Sequence, residues 1–392
     1  MRKVAVFFGG KSYEHEISIL TGVMVLNLLD KFKYTVFPVY VDMEGGFYTS
    51  PAMFDLNVFK ERKESKFQKI CFDGGSMYAL NLKKCKMKPI AKIDVALNCC
   101  HGGWGEGGGV SALMELNSIP LASPDVASSG VFMDKNLTKL ALQALNIPTV
   151  DYIRVNETDY RKRASVLLKR IELRLKYPVI IKPSRLGSSI GIVLARNETD
   201  VKDGLEKAFA LDDRVIIEKY LPDKKDVNCA AYVRGGEIIV SEPELAFGTG
   251  VYTFEEKYIK KRDCERGKNA QNDGVNYVGD KVRFLENERG MVALNGVLRD
   301  KIRAYTKTVY KRLNMHGVVR MDFLVCGDTV YLCEVNTVPG SLAYYLFCDK
   351  LMDARGFLND LLEEAIAFSK NAKKEITRTN ILNVTTISKR MK

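Results

Sequence analysis

The chain has 392 residues, 46% hydrophobic and 28% charged, the balance of a globular protein large enough for two or three packed domains. Its 60 Lys and Arg against 48 Asp and Glu give a net charge of +12, but the basic residues are dispersed, and the densest groups, KERKESKFQK and the terminal KRMK, read as solvated faces rather than a nucleic-acid footprint. No apolar run nears the roughly 18 residues of a membrane span, and the run in MRKVAVFFGGKS is too short for a signal core, so the expectation is a cytoplasmic protein with neither nucleic acid nor membrane as partner.

VAVFF (4–8) has the continuous apolar character of a parallel-sheet strand. GGKSYEHE follows, then ISILTGVMVLNLL at helical spacing, then the strand YTVFPVYVD (34–42). This is a β-α-β unit with the default right-handed crossover. Residues 43–92 are lysine-rich and weakly periodic and read as an insertion carrying small strands. VALNCC (95–100) is a further parallel strand. After HGGWGEGGG comes the helix VSALMELN, which closes a first α/β domain near residue 123. Residues 128–145 read as one helix. VDYIRV (150–155), VIIKPS (179–184), GIVLA (191–195) and RVIIEKYL (214–221) read as strands of antiparallel character, with the helix SVLLKRIELRLK between the first two. A hairpin turns at Arg234–Gly236, and 247–280 is polar. A helix over 295–313, the strands VVRMDFLVC and TVYLCEVNT, and a helix over 356–370 complete the chain. The nine cysteines show no CxxC or zinc-type spacing and are expected to be reduced and buried.

Four stretches carry chemistry. In KPSRLGSSIG (182–191), glycines let the backbone approach a ligand, serine hydroxyls and free N–H groups make an anion nest, and Lys182 adds a charge, which suits a polyphosphate. A plain β-hairpin with a solvated tip fits the same residues. The P-loop pattern is absent. In 320–336, Glu334 and Asn336 alternate by two and share a face, and hairpin pairing brings Asp322 beside them. Oxygen ligands with few histidines favour Mg²⁺ or Mn²⁺ over an exposed polar sheet face. Arg320 shares that face and can stabilise developing negative charge. HGGWGEGGG (101–109) leads into a helix N-terminus, an anion-friendly place, yet Glu106 within it would repel phosphate and suits an amino-acid zwitterion. In GGKSYEHE, Glu16 and Ser18 read as caps of the following helix, which leaves Glu14 to meet an ammonium group.

In this order the stretches FGGKSYEHEIS, HGGWGEGG, MDK (133–135), YPVIIKPSRLGSSIGI, IIEKYL, FEEKY (254–258), GVVRMDF and CEVNTVPGS resemble the D-alanine–D-alanine ligases of the ATP-grasp superfamily, over residues 4 to about 350. The resemblance implies three domains of α/β and α+β type: 1–123 with its insertion, 124–217, and 218–372 with a lid at 247–280, followed by a peripheral tail at 373–392. ATP would lie between the central and C-terminal domains. Glu14 would hold the ammonium of the first D-alanine, with His101 nearby. Lys135 and Lys182 would contact the phosphates, and Glu218, Lys219, Tyr220, Leu221 and Asp226 would line the nucleotide site. Ser188 and Ser189 would belong to a closing loop, and Lys257 and Tyr258 to the lid. Arg320 and Gly340 would form the oxyanion site. Asp322, Glu334 and Asn336 would bind two Mg²⁺ ions. A homodimer is also implied.

The pattern departs from the family in places. Gly107 stands where Asp is usual, and Asp226 where Glu is usual. After NTVPG the run is SLAYYLF: Ser341 and Leu342 come directly after Gly340, and Tyr345 falls where the serine that meets the second substrate would align. An ATP-grasp ligase with another acceptor, such as D-serine, is therefore a second reading. A silent nucleotide-binding regulator is a third, disfavoured because all three metal-type ligands are present.

Overall fold

The computed structural model describes residues 1–61, 64–245, 294 and 296–372. Its strands are β1 (Arg2–Gly9), β2 (Tyr34–Val41), β3 (Phe47–Thr49), β4 (Gln68–Asp73), β5 (Ser76–Asn81), β6 (Lys86–Lys92), β7 (Val95–Asn98), β8 (Tyr152–Asn156), β9 (Val179–Pro183), β10 (Val193–Ala195), β11 (Arg214–Lys219), β12 (Lys225–Arg234), β13 (Glu237–Val240), β14 (Glu244–Leu245), β15 (Val319–Cys326) and β16 (Thr329–Asn336). The α-helices are α1 (His15–Leu28), α2 (Asn57–Lys60), α3 (Val110–Leu116), α4 (Val126–Met133), α5 (Lys135–Ala144), α6 (Glu157–Arg174), α7 (Glu198–Phe209), α8 (Gly296–Arg312) and α9 (Ala354–Ala372). The expected lid at 247–280 and tail at 373–392, with Lys257 and Tyr258, lie outside the described residues.

The strands form three sheets. The first has the order β6-β5-β4-β3-β2-β1-β7. β1 runs parallel to β2 and to β7, and is apolar from Val4 to Phe8, where both its faces are covered. Val4, Val6 and Phe8 pack with α1 and the C-terminal helix α9, whereas Ala5 and Phe7 pack with Val110 and Met114 of α3. Gly22 is required in α1, since a Cβ there would lie 2.3 Å from the Phe8 ring. The insertion does not stand apart: β3 to β6 continue the same sheet in antiparallel register. The solvent-facing edge strand β6 carries three lysines and a proline, a composition that discourages edge-to-edge pairing.

The second sheet, β10-β9-β11-β8, is wholly antiparallel. The third runs β13-β12-β15-β16, with β14 beside β12. β11 extends to Lys219, so the expected boundary at 217 falls inside a strand and Glu218 belongs to the second sheet. α9 packs on both the third sheet, where the Phe357 ring meets Tyr232 of β12 at 4.9 Å, and the first sheet, where Glu363 accepts from the Tyr34 hydroxyl at 3.0 Å. No helix among the described residues is long and apolar enough to cross a membrane.

Three local expectations need correction. The helix over 128–145 is two helices, α4 and α5, because Asp134 takes an extended backbone between them. Its carboxylate accepts from the Asn136 N–H at 2.8 Å, from Ser184 Oγ at 2.5 Å and from Arg214 at 2.9 Å. A cap that also ties two strands of the second sheet outweighs one more turn of continuous helix. A further helix, α7, capped by Asn197 at the Asp200 N–H, fills the stretch after β10. Ser18 does not cap α1: it accepts from Gly9 N–H and donates to Cys99 O, both at 2.7 Å, stitching the ends of β1 and β7. Of the described cysteines all are free, but only Cys99, Cys100 and Cys229 are buried and Cys85 is exposed.

The Asp134 junction makes a direct test of this packing. Asp134→Ala should lower unfolding stability by about 1–3 kcal/mol through the lost cap and the hydroxyl left without its acceptor. An unchanged midpoint in thermal denaturation would contradict it.

Candidate active site

A cleft of about 390 Å³ opens between the second and third sheets and runs to the C-terminal ends of β1 and β7. One wall is β9 and β11, which present Ile180, Lys182 and Glu218. The opposite wall is β15 and β16, which present Arg320, Asp322, Leu324, Glu334 and Asn336. Lys135 enters from the start of α5, held where the chain breaks at Asp134. Glu14, His101 and Glu106 close the far end. Lys219, Tyr220, Leu221 and Asp226 line it beyond β11, and Gly340 follows β16. Most of the residues anticipated from sequence thus border one cavity.

On β15 and β16 the register sets Asp322 opposite Glu334 and Arg320 opposite Asn336. Arg320 grips Asp322 in a two-pronged pair, at 2.7 Å to Oδ1 and 2.9 Å to Oδ2, and Asn336 Nδ2 donates to the same carboxylate at 3.0 Å. A register shift after Asp322 leaves Cys333 unpaired across the ladder, and the bulge turns its sulfur into the cleft, 3.7 Å from Lys182 Nζ. Strict alternation would have sent Cys333 to the other face, so sequence reading missed it.

The cations are closely countered. Lys182 Nζ lies 2.6 Å from Glu218 Oε2, and Lys135 Nζ lies 3.4 Å from Glu334 and 2.5 Å from the Leu186 carbonyl. Burial disfavours the Lys182 charge, but Cys333, Glu218 and Glu334 around it more than offset that and raise its pKa. Burial likewise opposes the Glu218 charge, yet Lys139 and Lys182 hold its pKa down at about 2. Lys139 was not anticipated; its position one turn after Lys135 was the available signal.

The stretch 184–191 is the tip of a hairpin, and it does not stand in solvent. β9 and β10 pair as an antiparallel hairpin, and the connecting turn lines the cleft rather than standing in solvent. Ser188 and Ser189 adopt left-handed backbone, with φ of 51° and 61°, and the Ser188 hydroxyl donates to Glu14. Gly187 permits this approach, because a Cβ there would lie 2.8 Å from Glu14 Oε2.

At the far end, residues 105–109 wind as one wide helical turn rather than hanging loose. Glu106 faces inward, accepting from Gly102 N–H at 2.8 Å and from Val338 N–H at 3.2 Å. Burial, with Glu14 nearby, pushes its pKa up to about 7, against the pull of those amides and Arg320. His101 Nδ1 donates to Val338 O at 2.7 Å, and its Nε2 meets the Thr21 hydroxyl at 2.8 Å. Burial lowers its pKa, against the nearby Glu14 carboxylate and the bond to Val338, which raise it.

The segment after Gly340 departs from expectation. Ser341, Leu342 and Ala343 are all left-handed, with φ of 50°, 53° and 51°, a cost of roughly 1–2 kcal/mol each for non-glycine residues. Leu342 is a core residue at 2% exposure, so its side chain is withdrawn from any ligand. Ser341 N–H donates to Thr21 Oγ1 at 3.3 Å. Tyr345 sits outside the cleft wall but reaches it through Arg320, whose Nη1 donates to the phenol at 3.2 Å.

An α/β domain with a parallel core of β2, β1 and β7, followed by two antiparallel sheets that face each other across such a cleft, is the ATP-grasp architecture. The family model described as D-ala D-ala ligase N-terminus matches residues 3–124, and that described as D-ala D-ala ligase C-terminus matches 141–274 and 289–367. A D-alanine–D-alanine ligase of Thermosipho africanus is 34% identical, with 96% of each chain covered. One of Clostridium acetobutylicum is 32% identical, covering 94% of this chain and 99% of the relative. The crystal structure of the Helicobacter pylori D-alanine–D-alanine ligase superposes with a TM-score of 0.70 at 27% identity, over 94% of this chain and 98% of that one. The VanG D-Ala:D-Ser ligase of Enterococcus faecalis shares the fold, with a TM-score of 0.69 at 22% identity over 94% of this chain and 99% of that one. The chain belongs to the D-alanine–D-alanine ligase family.

Glu106 gives a pH test. An ionised carboxylate beside Glu14 favours an ammonium-bearing substrate, so kcat/KM for the amino acid should rise with an apparent pKa of about 7. Glu106→Gln should remove that limb, and an unchanged profile in the variant would assign the ionisation elsewhere.

Proposed function

We propose that the protein is an ATP-dependent ligase that joins two D-alanine molecules to D-alanyl-D-alanine, with ADP and phosphate as co-products, for peptidoglycan precursor synthesis. The observation that carries this reading is one cleft that brings Lys135 and Lys182 against the opposed pair Asp322 and Glu334, with Glu14 and His101 at its end. A cytoplasmic setting and a homodimer follow from the family resemblance.

Amide formation in water needs an activated carboxylate. In this reading the first D-alanine lies with its ammonium on Glu14, and one of its carboxylate oxygens attacks the γ-phosphorus of ATP as ADP leaves. Lys135 and Lys182 bind and orient the phosphates. The amine of the second D-alanine then attacks the acyl carbon, Arg320 and the backbone of Gly340 stabilise the tetrahedral oxyanion, and phosphate departs. The turn bearing Ser188 and Ser189 helps exclude water, which would otherwise hydrolyse the acyl phosphate.

The donor set at β15 and β16 is two carboxylates and an amide, all hard oxygen ligands. No group of three His, Cys, Asp or Glu that could hold a metal ion occurs among the described residues. A site this poor in protein ligands suits Mg²⁺, or Mn²⁺, completed by phosphate oxygens and water. Asp322, Glu334 and Asn336 would hold two such ions, which supply charge neutralisation along the polyphosphate. Arg320 must share Asp322 with them.

The acceptor is the open part of the reading, because Tyr345 on Arg320 and the core position of Leu342 set this pocket apart from the usual serine–leucine arrangement. Phosphate release measured with ATP over a panel of D- and L-amino acids should show turnover with D-alanine alone. Absence of that turnover, with activity only when D-serine or another acceptor is added, would establish the second reading. Glu334→Gln should reduce turnover by a factor on the order of 10³ while leaving the thermal midpoint close to wild type; near-normal rates would refute the metal assignment.

A further inference from the structure

Lys139 has no part in the mechanism above, yet it is among the most deeply buried charged side chains of the molecule. It lies one turn beyond Lys135 on α5 and is 1% exposed. Its Nζ stands 2.6 Å from Glu218 Oε1, while Lys182 Nζ stands 2.6 Å from Glu218 Oε2. The Tyr152 ring lies 5.7 Å from the Lys139 ammonium on another side. Two ammonium groups therefore share one carboxylate, and only Lys182 of the two lines the cleft.

Burying an ammonium costs several kcal/mol before its partner repays it. A lone Lys182–Glu218 pair would be neutral and would present no net charge to an anion. With Lys139 behind it, the cluster keeps one net positive charge, and that charge faces the cleft through Lys182. We propose that Lys139 is a positioning residue for the nucleotide: it occupies Glu218 from the rear, so that Lys182 stays available to phosphate. This rests on the proposed reading that ATP binds here with its phosphates on Lys182. It separates two tasks in one side chain, because Glu218 can serve the nucleoside end only while its charge is countered elsewhere than at Lys182.

Calorimetric titration with Mg²⁺–ADP and with adenosine tests this without turnover. In Lys139→Met the affinity for ADP should fall on the order of tenfold, while adenosine, which has no phosphate, stays within about twofold. In Lys139→Met/Glu218→Gln the net charge of the cluster is restored, and the ratio of ADP to adenosine affinity should return to the wild-type value. Glu218→Gln alone, which keeps both lysines, should raise that ratio, and it keeps the test open if Lys139→Met fails to fold. Parallel losses of ADP and adenosine binding, or a ratio that ignores the charge of the cluster, would overturn the inference and leave Lys139 a structural ion. Wild-type protein that binds adenosine and ADP equally would overturn the phosphate-binding role of Lys182 itself.

Discussion

The structure depends on the pairing of β15 with β16. That register sets Asp322 directly across from Glu334 and places Arg320 and Asn336 one step along on the same face. Like charges directly opposite on a sheet repel, and here the repulsion is met by Arg320 and Asn336 on one carboxylate and Lys135 near the other. The proposed function would account for this face, since cations there would share the balancing of its two carboxylates.

The rest of the cleft follows the same rule of shared counter-ions. Glu218 serves two lysines, Asp134 serves a serine, a helix cap and an arginine, and Glu106 serves two backbone amides from different parts of the chain. Each shared acceptor also ties separate elements together: α5 to β11, α5 to β9, and the turn after β7 to the segment after β16. Electrostatics therefore shapes the walls as well as charging them. A cleft whose walls are joined by buried ion pairs presents fixed dipoles to a reacting group and reorganises little during reaction.

Much of this was legible in the sequence because the relevant residues alternate on strands or sit beside glycines. Period-two spacing put Glu334 and Asn336 on one face, and the apolar runs around them identified the strands. What escaped detection depended on tertiary choices. The break at Asp134 needs Ser184 and Arg214, which are distant in the chain, and the bulge that turns Cys333 inward leaves no local mark. Lys139 looks like an ordinary solvent-facing helix residue until β11 brings Glu218 against it. The hairpin at 184–191 was legible but the placement of its tip was not, since an antiparallel turn can place its tip in a cleft as readily as in water. The left-handed turn after Gly340, which buries Leu342 and sets the Tyr345 hydroxyl against Arg320, left no local mark either.

The central claim is that the cleft activates a carboxylate by phosphorylation before an amine attacks it. Oxygen-18 transfer tests that step most directly. With ATP, Mg²⁺ and D-alanine labelled with oxygen-18 in its carboxylate, mass spectrometry of the released phosphate should find one labelled oxygen for each dipeptide formed, because the attacking carboxylate oxygen leaves with the phosphate. Dipeptide accompanied by unlabelled phosphate, or phosphate release indifferent to D-alanine, would contradict the account.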